Sequence, residues 1–155
     1  EHELQVEPQP YQSIPYYIES DWSAASYWYQ IAALSKEATI TLPGLFQNSY
    51  QGDSKVADIF RSLGVETIFN DKTVTLQKTG ECVKRLDYNF INQPDLAQTF
   101  VVTCALLDIP FRFSGLQSLK IKETTKNIKK NFTKRLQIQK LVVPLQPQTR
   151  KQPHL

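Results

Sequence analysis

The chain has 155 residues, 41% of them hydrophobic and 21% charged, with a formal net charge of +3 at pH 7. That length suffices for one ordinary domain with a core, and the apolar-to-charged balance excludes a disordered chain. No run approaches the ~18 apolar residues that a membrane span needs, and no basic-then-apolar start reads as a signal peptide.

Residues 1–18 read as extended. Leu4 and Val6 alternate with polar neighbours, Pro8, Pro10 and Pro15 interrupt, and Tyr16-Tyr17-Ile18 resumes the apolar text. This predicts two short strands at an edge, or the end of a preceding domain. Glu19-Ser20-Asp21 is a junction, with Ser20 or Asp21 able to cap a helix. The text that follows, residues 23–34, is apolar on nearly every face and dense in small residues, which predicts a helix buried all round. Residues 39–42 alternate as a strand, and Pro43-Gly44 turns the chain.

A second helix is expected over residues 55–63. Val56, Ile59, Phe60 and Leu63 stand at helical spacing, and Gly64 is the natural residue just past its end. Residues 65–69 and 73–76 read as two strands around Asn70-Asp71, a hairpin signal. Another strand is expected at 85–91. A third helix follows at 96–107, with Phe100, Val101, Leu106 and Leu107 inward. Pro110 ends it, residues 111–113 read as a strand, and residues 119–122 alternate once more. The helix-then-strand pairs at 23–42 and 95–114 suggest an α/β module repeated at long period.

Charge is unevenly placed. From Lys120 onward there are ten Lys or Arg and one acid, +9, which leaves eight basic and fourteen acidic residues, −6, before it. Within that tail Ile128, Phe132 and Leu136 mark one helical stripe. A basic run can hold nucleic acid. No aromatic platform accompanies this one, so a solvated tail is the favoured reading and nucleic acid is not an expected partner.

The two cysteines, Cys82 and Cys104, lack metal-ligand spacing, and His2 and His154 stand at the chain ends. Neither a zinc site, nor a disulfide scaffold, nor a His-based catalytic triad fits. Cys104 reads as a small core residue in a reducing, cytoplasmic setting. With no Met and a start at Glu1, the chain is expected to be a piece of a longer protein or an incomplete translation.

The most informative stretch is Asn92-Gln93-Pro94-Asp95-Leu96-Ala97, where a strand hands over to a helix. Pro94 suits a first helical position, and Asp95 then meets the unpaired N–H groups of the first turn. Twenty-eight residues later, about the length of a strand-to-strand unit, comes Lys122-Glu123. Two carboxylates at the ends of neighbouring elements can face one pocket. Asp95 is therefore either a helix-start carboxylate or one of two carboxylates, with Glu123, that face a shared pocket.

Four segments in order match a known pattern. Asp21-Trp22-Ser23-Ala24-Ala25-Ser26-Tyr27 resembles the "GD-x-S-S-A-S-Y" segment of the EPSP synthase (3-phosphoshikimate 1-carboxyvinyltransferase) family. Ser49-Tyr50-Gln51-Gly52-Asp53 resembles its "S-x-QGD", Asn92 to Ala97 its "N-x-PD-x-A", and Lys122-Glu123-Thr124 the start of its "K-E-[ST]-D-R". The last two segments favour this family over the related UDP-N-acetylglucosamine enolpyruvyl transferases.

The resemblance implies an α/β fold of repeated βαβαββ units with helices packed inside, an inside-out barrel that is incomplete here. Residues 1–19 would be the terminal strands of a first domain, 20–124 the first part of a second, and 125–155 a divergent basic tail. It implies transfer of the enolpyruvyl group of phosphoenolpyruvate to the 5-hydroxyl of shikimate 3-phosphate, in a monomer, with no metal or organic cofactor. Asp95 matches the carboxylate that helps deprotonate the attacking hydroxyl. Glu123 matches the group that exchanges a proton with the enolpyruvyl carbon, and Lys122 a substrate contact. Where the pattern continues Asp-Arg, this chain has Thr125-Lys126. Lys126 keeps the charge but not the bidentate fork that would clamp a carboxylate. With the first domain absent, the chain alone is expected to be inactive.

Overall fold

Asp21 starts the first helix. Its carboxylate accepts the backbone N–H of Ser23 at 2.8 Å and of Ala24 at 3.3 Å. Two of the orphan donors at the start of α1 (Trp22–Leu34) are thereby satisfied. At the far end the Lys78 ammonium donates to Ala33 O at 2.5 Å, a cation on the negative pole of the helix. The structure, a computed structural model, describes residues 3–119. They fall into two units, residues 1–80 and residues 81 onward.

In the first unit, α1 packs on α2 (Val56–Arg61) and on a three-stranded antiparallel sheet ordered β1 (Thr39–Pro43), β3 (Thr73–Lys78), β2 (Val65–Asn70). A 3₁₀ turn, Gly52–Lys55, leads into α2. Gly64 ends this helical stretch with φ +76°, its N–H donating to Arg61 O, as expected of the residue past a helix end. The hairpin between β2 and β3 pairs Asn70 with Thr73, which leaves Asp71-Lys72 as the turn, one residue later than the hairpin signal; Asp71 carries φ +49°.

The core of this unit is Trp22, Tyr29, Val56, Phe60, Leu63, Val65, Val74 and Leu76. Tyr29 stacks tilted on Phe60 at 5.4 Å between centroids and shares a 2.8 Å hydrogen bond with Thr67. Burial of α1 is one-sided, which corrects the expectation of a helix enclosed all round. Trp22, Ala25, Tyr29, Ala32 and Ala33 are covered, while Tyr27 is 58% and Trp28 49% exposed. The sheet and α2 cover one stripe of the helix, and apolar composition alone does not say how many stripes meet a neighbour. Residues 3–18 form no strand among the described residues, and Leu4, Val6 and Ile14 lie in solvent.

The second unit is a βαβ crossover. β4 (Leu86–Asn89) and β5 (Phe111–Ser114) are parallel neighbours, joined through a 3₁₀ turn, Pro94–Leu96, and α3 (Ala97–Leu106). Leu96, Ala97, Phe100, Thr103 and Cys104 face inward. Leu106, expected inward, is 63% exposed. It stands two residues beyond Cys104, roughly 200° around the helix from it, on the opposite face. Thr103 removes the penalty of a buried hydroxyl by donating to Thr99 O at 2.7 Å. The expected strand at 119–122 lies, apart from its first residue, outside the described residues, as does the helical stripe of Ile128, Phe132 and Leu136.

Candidate functional site

The parallel pair sets the local geometry. Its register, Leu86 opposite Phe111 through Asn89 opposite Ser114, brings both strands to their C-terminal ends side by side. Phe90 N donates to Ser114 O at 2.9 Å, which extends the ladder by one residue. The Phe90 ring is fully buried, edge-on to Phe113 at 5.0 Å and tilted on Phe100 at 5.5 Å. That aromatic anchor fixes where the chain leaves the sheet.

From there each step to Asp95 is hydrogen-bonded. Asn89 Oδ1 accepts Ile91 N at 3.1 Å, Gln93 N donates to Phe90 O at 3.0 Å, and Leu96 N donates to Gln93 O at 3.2 Å. The Tyr88 hydroxyl adds a bond to Gln93 Oε1 at 3.3 Å. Pro94 occupies the first position of the 3₁₀ turn and Asp95 the second, with Leu96 buried beneath. Asp95 itself is exposed. Its placement agrees with a helix-start carboxylate, and the exposure leaves it accessible from solvent. Lys122, Glu123 and Lys126 lie outside the described residues.

The first two sequence motifs have another use. They bind each other. Trp22 N donates to Gln51 Oε1 at 3.0 Å, Gln51 Nε2 donates to Ser20 O at 2.8 Å, and the Ser23 hydroxyl bonds the Asp53 carboxylate. At the centre is Glu19, a residue that the sequence marks only as part of a junction. Its carboxylate accepts from Ser49 Oγ at 2.6 Å, Trp22 Nε1 at 2.8 Å, Phe46 N at 3.0 Å and Gln51 Nε2 at 3.1 Å. Partial burial by itself would raise this carboxyl, but the bonds from Ser49, Trp22, Phe46 and Gln51 outweigh it and hold the group below its usual value. No local pattern announces Glu19, because three of its four partners lie at least 27 residues away.

Of the two thiols, Cys104 is buried in α3 and Cys82 exposed, and both are free. Burial first, and the nearby Cys82 second, push the Cys104 thiol up to about 11. Among the described residues no three His, Cys, Asp or Glu side chains converge as a metal set, and no helix is long and apolar enough to cross a membrane.

Comparison with known proteins adds a family to this geometry. The family model described as EPSP synthase (3-phosphoshikimate 1-carboxyvinyltransferase) matches residues 1–134. A Bacteroides fragilis protein named 3-phosphoshikimate 1-carboxyvinyltransferase is 65% identical over 121 residues, which are 78% of this chain and 30% of the relative. One from a second strain of that species is 66% identical over 119 residues, 77% of this chain and 29% of the relative. One from Methanosphaera stadtmanae is 32% identical over 119 residues, 77% of this chain and 28% of the relative. The chain thus spans less than a third of the length of these curated relatives. With the family model matched over most of its length, the chain belongs to the EPSP synthase (3-phosphoshikimate 1-carboxyvinyltransferase) family.

Proposed function

We propose that the protein to which this chain contributes transfers the enolpyruvyl group of phosphoenolpyruvate to the 5-hydroxyl of shikimate 3-phosphate and releases inorganic phosphate. In the addition step the hydroxyl oxygen bonds to C2 of phosphoenolpyruvate while C3 takes up a proton. In the elimination step C3 gives up a proton, the double bond re-forms and phosphate leaves. Atoms and charge balance without a redox partner, and the family resemblance implies no metal or organic cofactor.

Each residue then has a task. Asp95 accepts the proton of the attacking hydroxyl. Glu123 supplies and removes the proton at C3. Lys122 contacts the substrates on the phosphate or hydroxyl side, and Lys126 stands where an arginine would clamp the carboxylate of phosphoenolpyruvate. A positioned acid or base of this kind contributes about 10²–10⁴-fold to rate, and a lysine between anionic groups lowers their mutual repulsion.

One observation carries the assignment: the parallel register of Asn89 with Ser114. Both chains leave the sheet at the same edge, where α/β sheets bind ligands. Asp95 follows six residues after Asn89, and Lys122 and Glu123 follow eight and nine after Ser114. At up to about 3.3–3.6 Å per residue, both segments can reach a common site.

The architecture belongs to the same reading: repeated βαβαββ units in an inside-out barrel, with residues 1–19 ending a first domain, 20–124 opening a second, and 125–155 a divergent tail. So do a monomeric state and a cytoplasmic location. The 155 residues alone lack most substrate contacts in this scheme and are inactive.

The test is a chimaera: the Bacteroides fragilis relative with its matching segment replaced by residues 20–124 of this chain. Phosphate release from shikimate 3-phosphate and phosphoenolpyruvate is expected from the chimaera and not from the 155-residue chain. A folded chimaera without turnover, or turnover by the short chain, overturns the scheme.

A further inference from the structure

We infer that Asn89 and Gly115 form a joint that positions Asp95; the inference rests on the role given to Asp95 above. Neither residue belongs to the motifs that carry the family resemblance.

The chain leaves β5 at Gly115 with φ +75°, in the left-handed region that L side chains rarely adopt. The larger constraint is space. A Cβ at this position would overlap Asn89 Oδ1 and the backbone N of Ile91, and would stand 2.8 Å from Ile91 Cα. The missing side chain is thus the notch into which the 89–91 turn settles. Asn89 closes that turn from the other side, its Oδ1 accepting Ile91 N at 3.1 Å in an Asx turn. With Phe90 N on Ser114 O at 2.9 Å, the end of β4 is held to the end of β5 at successive residues.

The position of the turn is then handed on. Phe90 O holds Gln93 N, Gln93 O holds Leu96 N, and Asp95 lies between the last two. A shift at residue 91 has no slack segment in which to dissipate before residue 95. Asn89 and Gly115 touch no substrate in this scheme. They are positioning residues that act on Asp95 through the hydrogen-bonded turn of residues 89–96.

The experiment uses the chimaera carrying residues 20–124. Gly115→Ala, Asn89→Ala and Asn89→Asp are each made alone and together with Asp95→Asn. Because a misplacement of about 1 Å can cost up to ~10²-fold in rate, Gly115→Ala and Asn89→Ala are expected to lower kcat at least about ten-fold. KM for phosphoenolpyruvate should stay within about two-fold, since that substrate's carboxylate is held elsewhere. Asn89→Asp retains an acceptor for Ile91 N–H and should keep most of the turnover. In the Asp95→Asn background the two damaging substitutions should do little more, because they act through Asp95.

Full kcat in Gly115→Ala or Asn89→Ala overturns the inference. So do losses that multiply undiminished on Asp95→Asn, and so does an Asn89→Asp variant as impaired as Asn89→Ala. An inactive chimaera, or unchanged kcat in Asp95→Asn alone, removes the catalytic reading on which the inference stands, and the inference falls with it. Gly115→Ala that no longer folds leaves Asn89→Ala, which introduces no clash, to decide between these outcomes.

Discussion

The Glu19 carboxylate takes the Ser49 hydroxyl at 2.6 Å and closes a gap of thirty residues in the chain. Trp22, Phe46 and Gln51 complete the set of donors, so one carboxylate ties the start of α1 to the loop before α2. Hydrogen bonds to a charged group are worth more than neutral ones, and their donors are left short when the acceptor is weakened.

Glu19→Gln is therefore expected to destabilise the first unit by about 1–3 kcal/mol at neutral pH. The pH dependence has a definite sign. Folding holds this carboxyl below its ordinary value of 4.5, so its contribution is present above that pH and is lost as pH falls through the lower folded value. Thermal melts from about pH 7 down to about pH 3 should show the native chain losing stability while Glu19→Gln changes less, the two converging in acid. Parallel curves would mean that the carboxylate is not the group that titrates.

Tyr29 and Thr67 offer a cleaner pair, because the bond between them is buried. Tyr29→Phe or Thr67→Val alone leaves the other hydroxyl without its partner, at about 1–3 kcal/mol each, whereas removing both leaves nothing unpaired. The double variant should be destabilised by less than the sum, with a coupling of about 0.5–1.5 kcal/mol, read by denaturant unfolding. Burial first pushes the Tyr29 phenol up to about 12; the bond to Thr67 partly offsets this, and Asp58 adds to it. Folding thus favours the protonated form, and stability falls as pH rises past the ordinary value of 10.0 toward that figure.

What is legible in the sequence is what is local. Asp21 as a cap and Gly64 beyond α2 each follow from a residue type at one end of a periodic run. The turn at Asp71 follows in the same way, to within one residue. The outward Leu106 and the one-sided burial of α1 are not legible, because a helix rich in apolar residues has several candidate inner faces and only the neighbours select one. Glu19 is out of reach for the same reason, its partners being distant in sequence. At the candidate site, the residue types and their order are visible in the chain. The close approach of Asn89 and Gly115 beside Asp95's turn depends on a strand register that periodicity does not specify.

The thiols should separate by reactivity. The thiolate is the nucleophile, and Cys104 is buried with its thiol pushed up to about 11, whereas Cys82 is exposed. Alkylation of the native chain near pH 8, followed by mass spectrometry, should label Cys82 at least about ten-fold faster than Cys104. Denaturant should equalise them. Equal labelling without denaturant would show that α3 opens readily or packs differently.

Asp95 and Lys126 give the sharpest contrast under the proposed function, which puts one on the reacting hydroxyl and the other on a substrate carboxylate. In the chimaera, Asp95→Asn removes the proton acceptor while keeping the size of the side chain, so kcat should fall about 10²–10⁴-fold with KM little changed. Extending the exchanged segment to residue 126 brings in Thr125-Lys126. That replaces a bidentate fork with a point charge, and KM for phosphoenolpyruvate should rise before kcat falls. Restoring Lys126→Arg in this longer exchange should recover most of the KM. An effect on kcat alone, with KM untouched, would place residue 126 away from the carboxylate of phosphoenolpyruvate and leave Thr125 as the residue whose change matters.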